Sequence, residues 1–321
     1  MGKVFGYPVF DENGEKILTT YDNEYSEMRM DIRVYRMKNG EERSFLRKGE
    51  ETAILLLSGK IRFCWDGKET SVSRKDVFTQ GPWCLHICTE AEAAVKAEED
   101  SEILVQCTKN ETEFAAVLYR PEDAPWKYSC VGKFGNVAKR RVNTIFDHDI
   151  APWSNMVLGE VLNDRGNWSG YLPHRHPQPE TYYFLFDRPE GFGASFVGDQ
   201  VFKSTDGSFS AIPGGELHPQ AVAPGFQMYT CWMIRHLEGN PWLQTDRCED
   251  EKYTMMLKFD RCRMEKRRKG EGNGERIYSA GTHYFRCRSV GCRRRGFEGD
   301  GKKGSGGNGQ GDGAAGKLCQ T

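Results

Sequence analysis

Short β-rich apolar runs separated by turn residues are the feature that most restricts the fold of this chain. Typical runs are AILLL at 53–57, EILVQC at 102–107, TYYFLF at 181–186 and FQMYTCWMI at 226–234. Gly, Pro, Asp and Asn interrupt them at short intervals, and the 3.6-residue periodicity of amphipathic helices is scarce. Many short strands broken by turns are typical of β-sandwiches and β-barrels. The pattern therefore predicts an all-β protein.

The stretch from Leu55 to Val72 indicates how such strands connect. It reads LLLSGKIRF followed by CWDGKETSV. Small and polar residues with glycine between apolar runs are the usual two- to three-residue hairpin turns. We therefore predict two consecutive hairpins, with Ser58–Lys60 and Asp66–Lys68 as the turns.

The composition of the 321-residue chain changes near residue 260. Residues 1–260 carry 30 basic and 40 acidic side chains, whereas 261–321 carry 15 basic and 6 acidic ones and 15 of the 36 glycines. A segment so poor in apolar side chains cannot bury enough surface to offset its chain entropy, so we expect 261–321 to be mostly disordered. This basic segment is the only feature that points to nucleic acid, and the net charge of -1 for the whole chain argues against such a partner.

Two further absences in the sequence bear on location. No apolar run approaches the roughly 18–20 residues of a membrane-spanning helix. Residues 1–30 lack the basic start and apolar stretch of a signal peptide. The 11 cysteines are scattered, without paired spacing in the acidic part of the chain, as expected for reduced thiols. We therefore expect a cytoplasmic protein with no membrane contact.

A cluster of potential metal ligands lies in residues 166–219. His174 and His176 are two residues apart, which on a strand places both rings on one face. Glu180 opens the next aromatic run, and Pro213-Gly214-Gly215 forms a turn that precedes His218. Three imidazoles and one carboxylate suit one divalent transition metal and leave positions open for a substrate. The spacing predicts that His174, His176, Glu180 and His218 bind this ion, and no other cofactor is indicated.

The chain also contains signs of an internal duplication. Glu51 aligns with Glu180 at the start of an apolar run, and His86 then aligns approximately with His218. No histidines match His174 and His176 on this alignment. We therefore predict two related β-barrel units, residues 1–130 without a metal site and residues 131–260 with one, followed by the tail at 261–321.

The same region resembles the bicupin sugar-acid isomerases, a family that includes 5-deoxy-glucuronate isomerase and 5-keto-4-deoxyuronate isomerase. The resemblance covers about residues 20–260 and is carried by these segments: GNWSGYLPHRH (166–176), ETYYFLFDRPEGFG (180–193), PGGELHP (213–219) and APGFQMYTCWMI (223–234). It implies two jelly-roll-like β-barrels and a metal-dependent aldose–ketose isomerisation of a deoxy uronic acid. It also implies zinc or manganese, with iron as a further option, at the four ligands.

GNWSGYLPH and EGFG resemble the 5-deoxy-glucuronate enzyme of inositol breakdown more than its relative. On that basis the expected reaction is 5-deoxy-D-glucuronate to 5-dehydro-2-deoxy-D-gluconate in myo-inositol catabolism. Two departures lie beside the site: the turn PGGELH is one residue longer than the family pattern, and Arg235-His236 replaces a small Ala-Gly pair.

Isomerisation also needs groups that move a proton and hold the substrate. Tyr183 and Tyr229 lie on strands that we expect to line the barrel, which makes them candidate catalytic residues. Arg235 is the candidate for binding the substrate carboxylate, because it replaces a small residue near the site.

Other functions remain open on this sequence. A cupin with three histidines and a glutamate can also bind iron and act as a dioxygenase, and a bicupin can bind a sugar acid without catalysis. Exposed strand edges make a homo-oligomer the expected assembly.

Overall fold

The computed structural model describes residues 3–256, and these residues are almost entirely β-strands and their connections. The all-β prediction is therefore confirmed for this part of the chain. The predicted disorder of residues 261–321 lies outside the described residues. No helix within 3–256 is long and apolar enough to cross a membrane.

The first group of strands forms a nine-stranded sheet around the long strand β5. Its central order is β10-β7-β5-β9-β3-β2, and β4, β6 and β8 join at the far end of β5. The strands of residues 3–120 are β1 (Phe5–Gly6), β2 (Glu15–Thr19), β3 (Asp31–Met37), β4 (Glu42–Leu46), β5 (Glu50–Trp65), β6 (Lys68–Arg74), β7 (Cys84–Ile87), β8 (Glu92–Ala97), β9 (Ser101–Lys109) and β10 (Val117–Tyr119), with a 3₁₀ turn at Ser26–Met28.

The second group forms a seven-stranded sheet, β1-β19-β16-β21-β13-β12-β11, a four-stranded sheet, β14-β20-β17-β18, and the pair β15-β22. Its strands are β11 (Lys127–Ser129), β12 (Arg140–Phe146), β13 (Met156–Asn163), β14 (Trp168–Ser169), β15 (His174–Arg175), β16 (Glu180–Phe186), β17 (Phe192–Val197), β18 (Gln200–Thr205), β19 (Phe209–Ile212), β20 (Gln220–Val222), β21 (Met228–Arg235) and β22 (Cys248–Glu249), with 3₁₀ turns at Phe134–Asn136 and Gln244–Asp246 and a helical segment at 251–256.

One of the two predicted hairpins is present. The turn at Asp66-Gly67 joins β5 to β6, and both residues have the positive φ that such tight turns require. The predicted turn at Ser58–Lys60 is wrong, because β5 continues through Gly59 with a register shift between Leu56 and Ser58. A Cβ on Gly59 would collide with Ser101 and with the carbonyl of Asp100. The glycine therefore allows a bulge at which the partners of β5 change from β7 and β9 to β6 and β8.

Three apolar clusters organise the core, and strand alternation decides which side chain joins which. Ile54 and Leu56 of β5 belong to the core of the first group, and Tyr182 and Phe184 of β16 belong to that of the second. Leu55 of β5 lies in a third cluster, which joins the two groups. The nine-stranded and seven-stranded sheets therefore pack against each other through this third cluster, as two-layer architectures do when each sheet has two apolar faces.

The alignment of Glu51 with Glu180 does not hold in three dimensions. Glu51 accepts hydrogen bonds from Ser154 Oγ (2.9 Å) and from the backbone N–H of Asn155 (2.6 Å), so it faces the second group of strands. Glu180 instead faces the interior of its own barrel. His86 lies within β7, 2.9 Å from Glu51, whereas His218 lies in the loop after β19. A slip of one residue along a strand exchanges its two faces, which explains the error.

Strand β1 connects the two predicted units. It pairs with β19, with Phe5 opposite Ser210, although 204 residues lie between these two in the sequence. Val4 and Phe5 accordingly belong to the core of the second group. The division at residue 130 remains a prediction, and β1 departs from it.

Candidate active site

The predicted ligands lie on neighbouring elements at one end of the second barrel. His174 is in β15, and His176 comes directly after the end of that strand. Glu180 opens β16, and His218 lies in the loop from β19 to β20. All four side chains are buried. The turn before His218 is fixed to the first histidine segment, because the N–H of Gly215 donates to the carbonyl of His176 (2.8 Å). A Cβ on Gly214 would overlap the carbonyl of Pro177, so this close approach requires glycine.

Three of the four predicted ligands converge. Oε2 of Glu180 lies 3.1 Å from Nε2 of His176 and 3.2 Å from Nε2 of His218. Within residues 3–256, His176, Glu180 and His218 form a group whose ligand atoms all lie within 4.8 Å of one another. Such separations suit donors that share one ion about 2.0–2.2 Å away.

The hydrogen bonds of these residues also fit a cation. Nδ1 of His176 lies 2.9 Å from the carbonyl of Gln178, and Nδ1 of His218 lies 2.8 Å from that of Glu216. A neutral imidazole has one N–H, so donation from Nδ1 leaves a lone pair on Nε2. Both Nε2 atoms then face a carboxylate oxygen, which is also an acceptor. Nε2 of His218 is buried without a hydrogen-bond partner, as expected of an atom oriented to bind a metal.

His174 lies at the edge of this group. Its ring centroid is 4.6 Å from that of His218 and 6.3 Å from that of His176. Its Nδ1 is 3.2 Å from the carbonyl of Leu172 and 3.0 Å from Nη2 of Arg247. A protonated Nδ1 donates to Leu172, whereas an unprotonated Nδ1 accepts from Arg247, so the ring makes one of these two hydrogen bonds at a time. Burial lowers the pKa of the His174 imidazole, and the neighbouring His218 and Arg247 lower it further.

A cavity of about 570 Å³ opens beside the cluster. Its walls come from β12, β16 and β21 and from the segment around the 3₁₀ turn Gln244–Asp246. The cavity is lined by polar side chains (Asn143, Thr144, Gln220, Thr230), by aromatic ones (Tyr182, Trp232, Trp242) and by cations (Lys127, Arg140, Arg247), in addition to His174, His176 and Glu180. A cavity of this size accommodates a sugar-sized molecule.

The predicted catalytic residues lie elsewhere. Tyr183 is buried at a second cavity, where Nζ of Lys16 is 3.4 Å from its hydroxyl. The hydroxyl of Tyr229 donates to Glu160 (2.8 Å) in the interface between the barrels. Arg235 donates to the backbone carbonyls of Asn155 (3.2 Å) and Lys109 (3.4 Å). None of the three lines the cavity of about 570 Å³, so their catalytic assignment is corrected.

Strand alternation explains why Tyr183 and Tyr229 do not face the cavity. It also identifies Tyr182, which was not predicted, as a residue that does. Glu180 faces the cavity, so Tyr182 shares its face and Tyr183 points to the opposite one. On β21 the cavity face carries Thr230 and Trp232, which directs Tyr229 to the other side. Burial raises the pKa of the Tyr182 hydroxyl, so this group remains a hydrogen-bond donor.

Two arginines on the cavity were also missed as site residues. Arg140 belongs to a basic pair that the sequence places in a connection, where solvated side chains are the rule, but it is the first residue of β12 and is buried. Arg247 follows the last residues of the motif region, and no pattern in the sequence marks it.

Comparison with known proteins identifies the family of the chain. The family model described as "KduI/IolB family" matches residues 7–254. The 5-deoxy-glucuronate isomerase of Bacillus subtilis strain 168 is 25% identical over 237 residues, which cover 68% of this chain and 85% of that protein. The enzyme of the same name from Bacillus licheniformis is 27% identical over 199 residues, covering 56% of this chain and 71% of that protein.

Solved structures show the same architecture. An IolB-like protein from Salmonella typhimurium LT2 superimposes with a TM-score of 0.72 at 18% identity, over 79% of this chain and 99% of that one. The oxalate decarboxylase of Lactobacillus farciminis gives a TM-score of 0.56 at 12% identity, over 85% of this chain and 95% of that one. At such identities the likeness concerns the fold, and it confirms the predicted cupin-like, all-β architecture.

The resemblance inferred from residues 166–234 is thus confirmed, and so is the expectation of an enzyme of the isomerase class, since the named relatives are isomerases. The match spans both groups of strands and ends close to the last described residue. The chain belongs to the KduI/IolB family.

Proposed function

We propose that this protein is a metal-dependent aldose–ketose isomerase that converts 5-deoxy-D-glucuronate into 5-dehydro-2-deoxy-D-gluconate in myo-inositol catabolism. The observation that carries the proposal is the buried convergence of His176, Glu180 and His218 on a cavity of sugar size. The substrate is taken from the names of the bacterial relatives.

In this proposal His176, Glu180 and His218 hold one divalent ion, zinc, manganese or iron, and His174 is the fourth ligand. His174 offers Nε2 in the tautomer whose Nδ1–H is donated to the carbonyl of Leu172, and in that tautomer Nη2 of Arg247 cannot donate to Nδ1. Bound there, the ion would polarise the substrate carbonyl and stabilise the negative charge of an enediolate.

The side chains of the cavity orient the substrate. Tyr182 supplies a hydroxyl donor on the same strand face as Glu180, and Gln220 is held in place by Thr230, whose hydroxyl donates to its Oε1 (3.1 Å). Trp232 and Trp242, 5.6 Å apart between ring centroids, form an apolar wall that limits the access of water to the reacting carbons.

The same proposal includes a cytoplasmic location and a homo-oligomer. Tyr128 on the edge strand β11 and the nearby Val131 and Val137 are apolar side chains that are 50–62% exposed. Such a strand edge suits contact with a second copy of the chain. The native mass in solution tests this part.

The decisive experiment combines metal analysis with an assay of 5-deoxy-D-glucuronate isomerisation. The purified protein is compared with His176→Ala, His218→Ala and, as a control, His148→Ala, a histidine outside the cluster. We expect about one metal ion per chain in the parent protein and in His148→Ala, and loss of both metal and isomerisation in the other two.

Other outcomes would separate the alternatives. Bound iron with oxygen consumption and no isomerisation would replace the isomerase with a dioxygenase. Absence of metal after reloading, or metal retention in both cluster variants, would overturn the proposed metal centre.

A further inference from the structure

A buried arginine, Arg140, and a half-buried one, Arg247, line the cavity, and neither forms an ion pair in the described part of the chain. Arg140 is only 5% exposed. Its Nη1 donates to the carbonyl of Ala138 (3.0 Å) and lies 3.4 Å from Sγ of Cys130. Nη2 of Arg247 lies 3.0 Å from Nδ1 of His174, and Nε of Arg247 is buried with no hydrogen-bond partner. Within residues 3–256, neither guanidinium forms an ion pair within 4.0 Å.

This arrangement is electrostatically unfavourable as it stands. The two guanidinium groups line the same cavity, so their like charges repel each other, and neither is neutralised by an ion pair within residues 3–256. Buried charges in proteins are normally paired, because removing them from water is costly. A buried and a half-buried cation on one cavity, both without a counter-ion, therefore indicate that the cavity receives an anion.

The acidic residues of the cavity do not form an ion pair with either arginine. Glu180 contacts the histidines instead, 3.1 Å from Nε2 of His176 and 3.2 Å from Nε2 of His218. Asp123 and Asp149 are exposed at its rim. Oδ1 of Asp147 accepts the backbone N–H groups of Asp149 and Ile150, both at 3.1 Å, and so stabilises its own turn.

We propose that Arg140 and Arg247 together bind the carboxylate of the sugar acid in this cavity. The inference rests on the proposed function for the identity of the ligand. Planar guanidinium groups match the two oxygens of a carboxylate, and charge-assisted bonds of this kind are among the stronger ones in proteins. The carboxylate takes the place of the missing counter-ion, and the carbonyl end of the sugar then extends toward Glu180.

Arg247 has a second consequence for the site. It lies next to β22, which pairs with β15, with His174 opposite Glu249. The segment that provides this arginine is therefore hydrogen-bonded to the strand that carries His174. The pair of strands β15 and β22 thus supports both ends of the substrate: the carboxylate through Arg247, which directly precedes β22, and the metal side through His174 in β15.

The test measures binding directly and does not depend on turnover. Full-length protein reconstituted with zinc is titrated with D-gluconate, a six-carbon sugar acid that has no carbonyl to isomerise, and with uncharged D-gluconamide. The variants are Arg140→Gln and Arg247→Gln, and the control is Arg188→Gln, which removes an exposed arginine outside the cavity. Arg140→Lys and Arg247→Lys keep the charge but not the planar group.

We expect gluconate to bind each glutamine variant about 10- to 100-fold more weakly than the parent protein, with the lysine variants in between. The affinity for gluconamide should be the same in all the proteins, which shows that the cavity is intact. Equal affinity of the parent protein for the acid and the amide, no binding of gluconate, or unchanged gluconate binding in both glutamine variants would overturn the proposal. Isomerisation is assayed separately, so arginine-dependent gluconate binding without isomerisation would count against the proposed function alone.

Discussion

At the level of single residues, the position of protons separates this site from an ordinary cluster of buried histidines. His176 and His218 each have a backbone carbonyl at Nδ1 and the carboxylate of Glu180 near Nε2. A neutral ring cannot donate to both acceptors. The cluster is therefore satisfied by a cation between Glu180 and the two rings, and it is less well satisfied without one.

Glu180→Gln should separate metal binding from stability. The amide is similar in size to the carboxylate but carries no charge, and its NH₂ can donate to a lone pair on His176 or His218. We expect the metal content to fall to a small fraction of about one ion per chain, while the metal-free variant is more stable than the metal-free parent by about 1 kcal/mol. Metal analysis and urea unfolding in the presence of a chelator measure the two effects.

The matched control is Glu216→Gln, a half-buried glutamate two residues from His218 whose backbone carbonyl, and not its carboxylate, contacts that ring. It should retain metal. Loss of metal in both variants to the same extent would contradict the assigned role of Glu180.

His236 makes a separate prediction about pH. It is buried, and its Nδ1 accepts the backbone N–H of Trp242 (2.8 Å). Burial lowers its pKa to about 4, and the neighbouring His148 adds to the effect. The unfolded chain, with a histidine pKa of about 6.5, therefore binds one more proton than the folded chain between roughly pH 6.5 and pH 4. The contribution of the neutral ring to stability is present above this window and is lost as the pH falls through it.

The measurement compares the free energy of unfolding of the parent protein and His236→Gln at pH 7 and pH 5. The parent protein should lose roughly 1 to 2 kcal/mol more than the variant over this interval. The same loss in both proteins would show that His236 is not buried in its neutral form.

At the level of elements, the sequence predicts which segments are strands much better than it predicts which way their side chains point. The apolar runs at 181–186 and 226–234 correspond to β16 and β21. The errors concern the strand face on which a side chain lies. Tyr183 and Tyr229 are each one residue away from a residue on the cavity face. Glu51 lies on the face of β5 opposite to the one that its alignment with Glu180 predicts. Both faces of these central strands are buried, so their hydrophobic pattern does not alternate and cannot identify the inner face.

Where the chemistry of one residue shows which strand face points to the cavity, alternation identifies the other residues on that face. Glu180 is such a residue, and Tyr182 follows from it by a step of two. Arg247 could not be found in this way, because it lies outside the strands and reaches the cavity through the pairing of β15 with β22, a contact between residues about 75 positions apart.

The pair Tyr182→Phe and Tyr183→Phe tests the assignment of faces on β16. In the proposed function the Tyr182 hydroxyl contacts the substrate, so its removal in Tyr182→Phe should lower kcat/KM by about 3- to 10-fold. Tyr183→Phe should leave kcat/KM unchanged, and its unfolding free energy should fall by no more than about 1 kcal/mol, because its contact with Lys16 lies in the second cavity. Activity loss in Tyr183→Phe alone would reverse the assignment.

At the level of the whole molecule, the two groups of strands are joined by a buried charged network as well as by apolar packing. Arg74 of β6 donates to Oε1 (2.8 Å) and Oε2 (3.1 Å) of Glu160 in β13. Glu160 also accepts from Tyr229 and Asn143, and Arg74 also donates to the carbonyl of Leu56. Arg74 and Glu160 are completely buried. Together with the pairing of β1 and β19, this network predicts that the two groups unfold as one unit.

Arg74→Met should therefore have an effect well beyond that of a surface ion pair. It leaves the carboxylate of Glu160 buried without a cation, which costs about 3–5 kcal/mol in the free energy of unfolding. Arg62→Met is the control, because Arg62 pairs with Glu98 at 2.7 Å on the surface, where solvent screens the pair and its contribution to stability is small. The double variant Arg74→Met/Glu160→Gln removes the unpaired charge and should recover part of the loss. Urea unfolding followed by fluorescence measures all three, and a loss in Arg74→Met no larger than in Arg62→Met would show that the two groups of strands do not depend on this network.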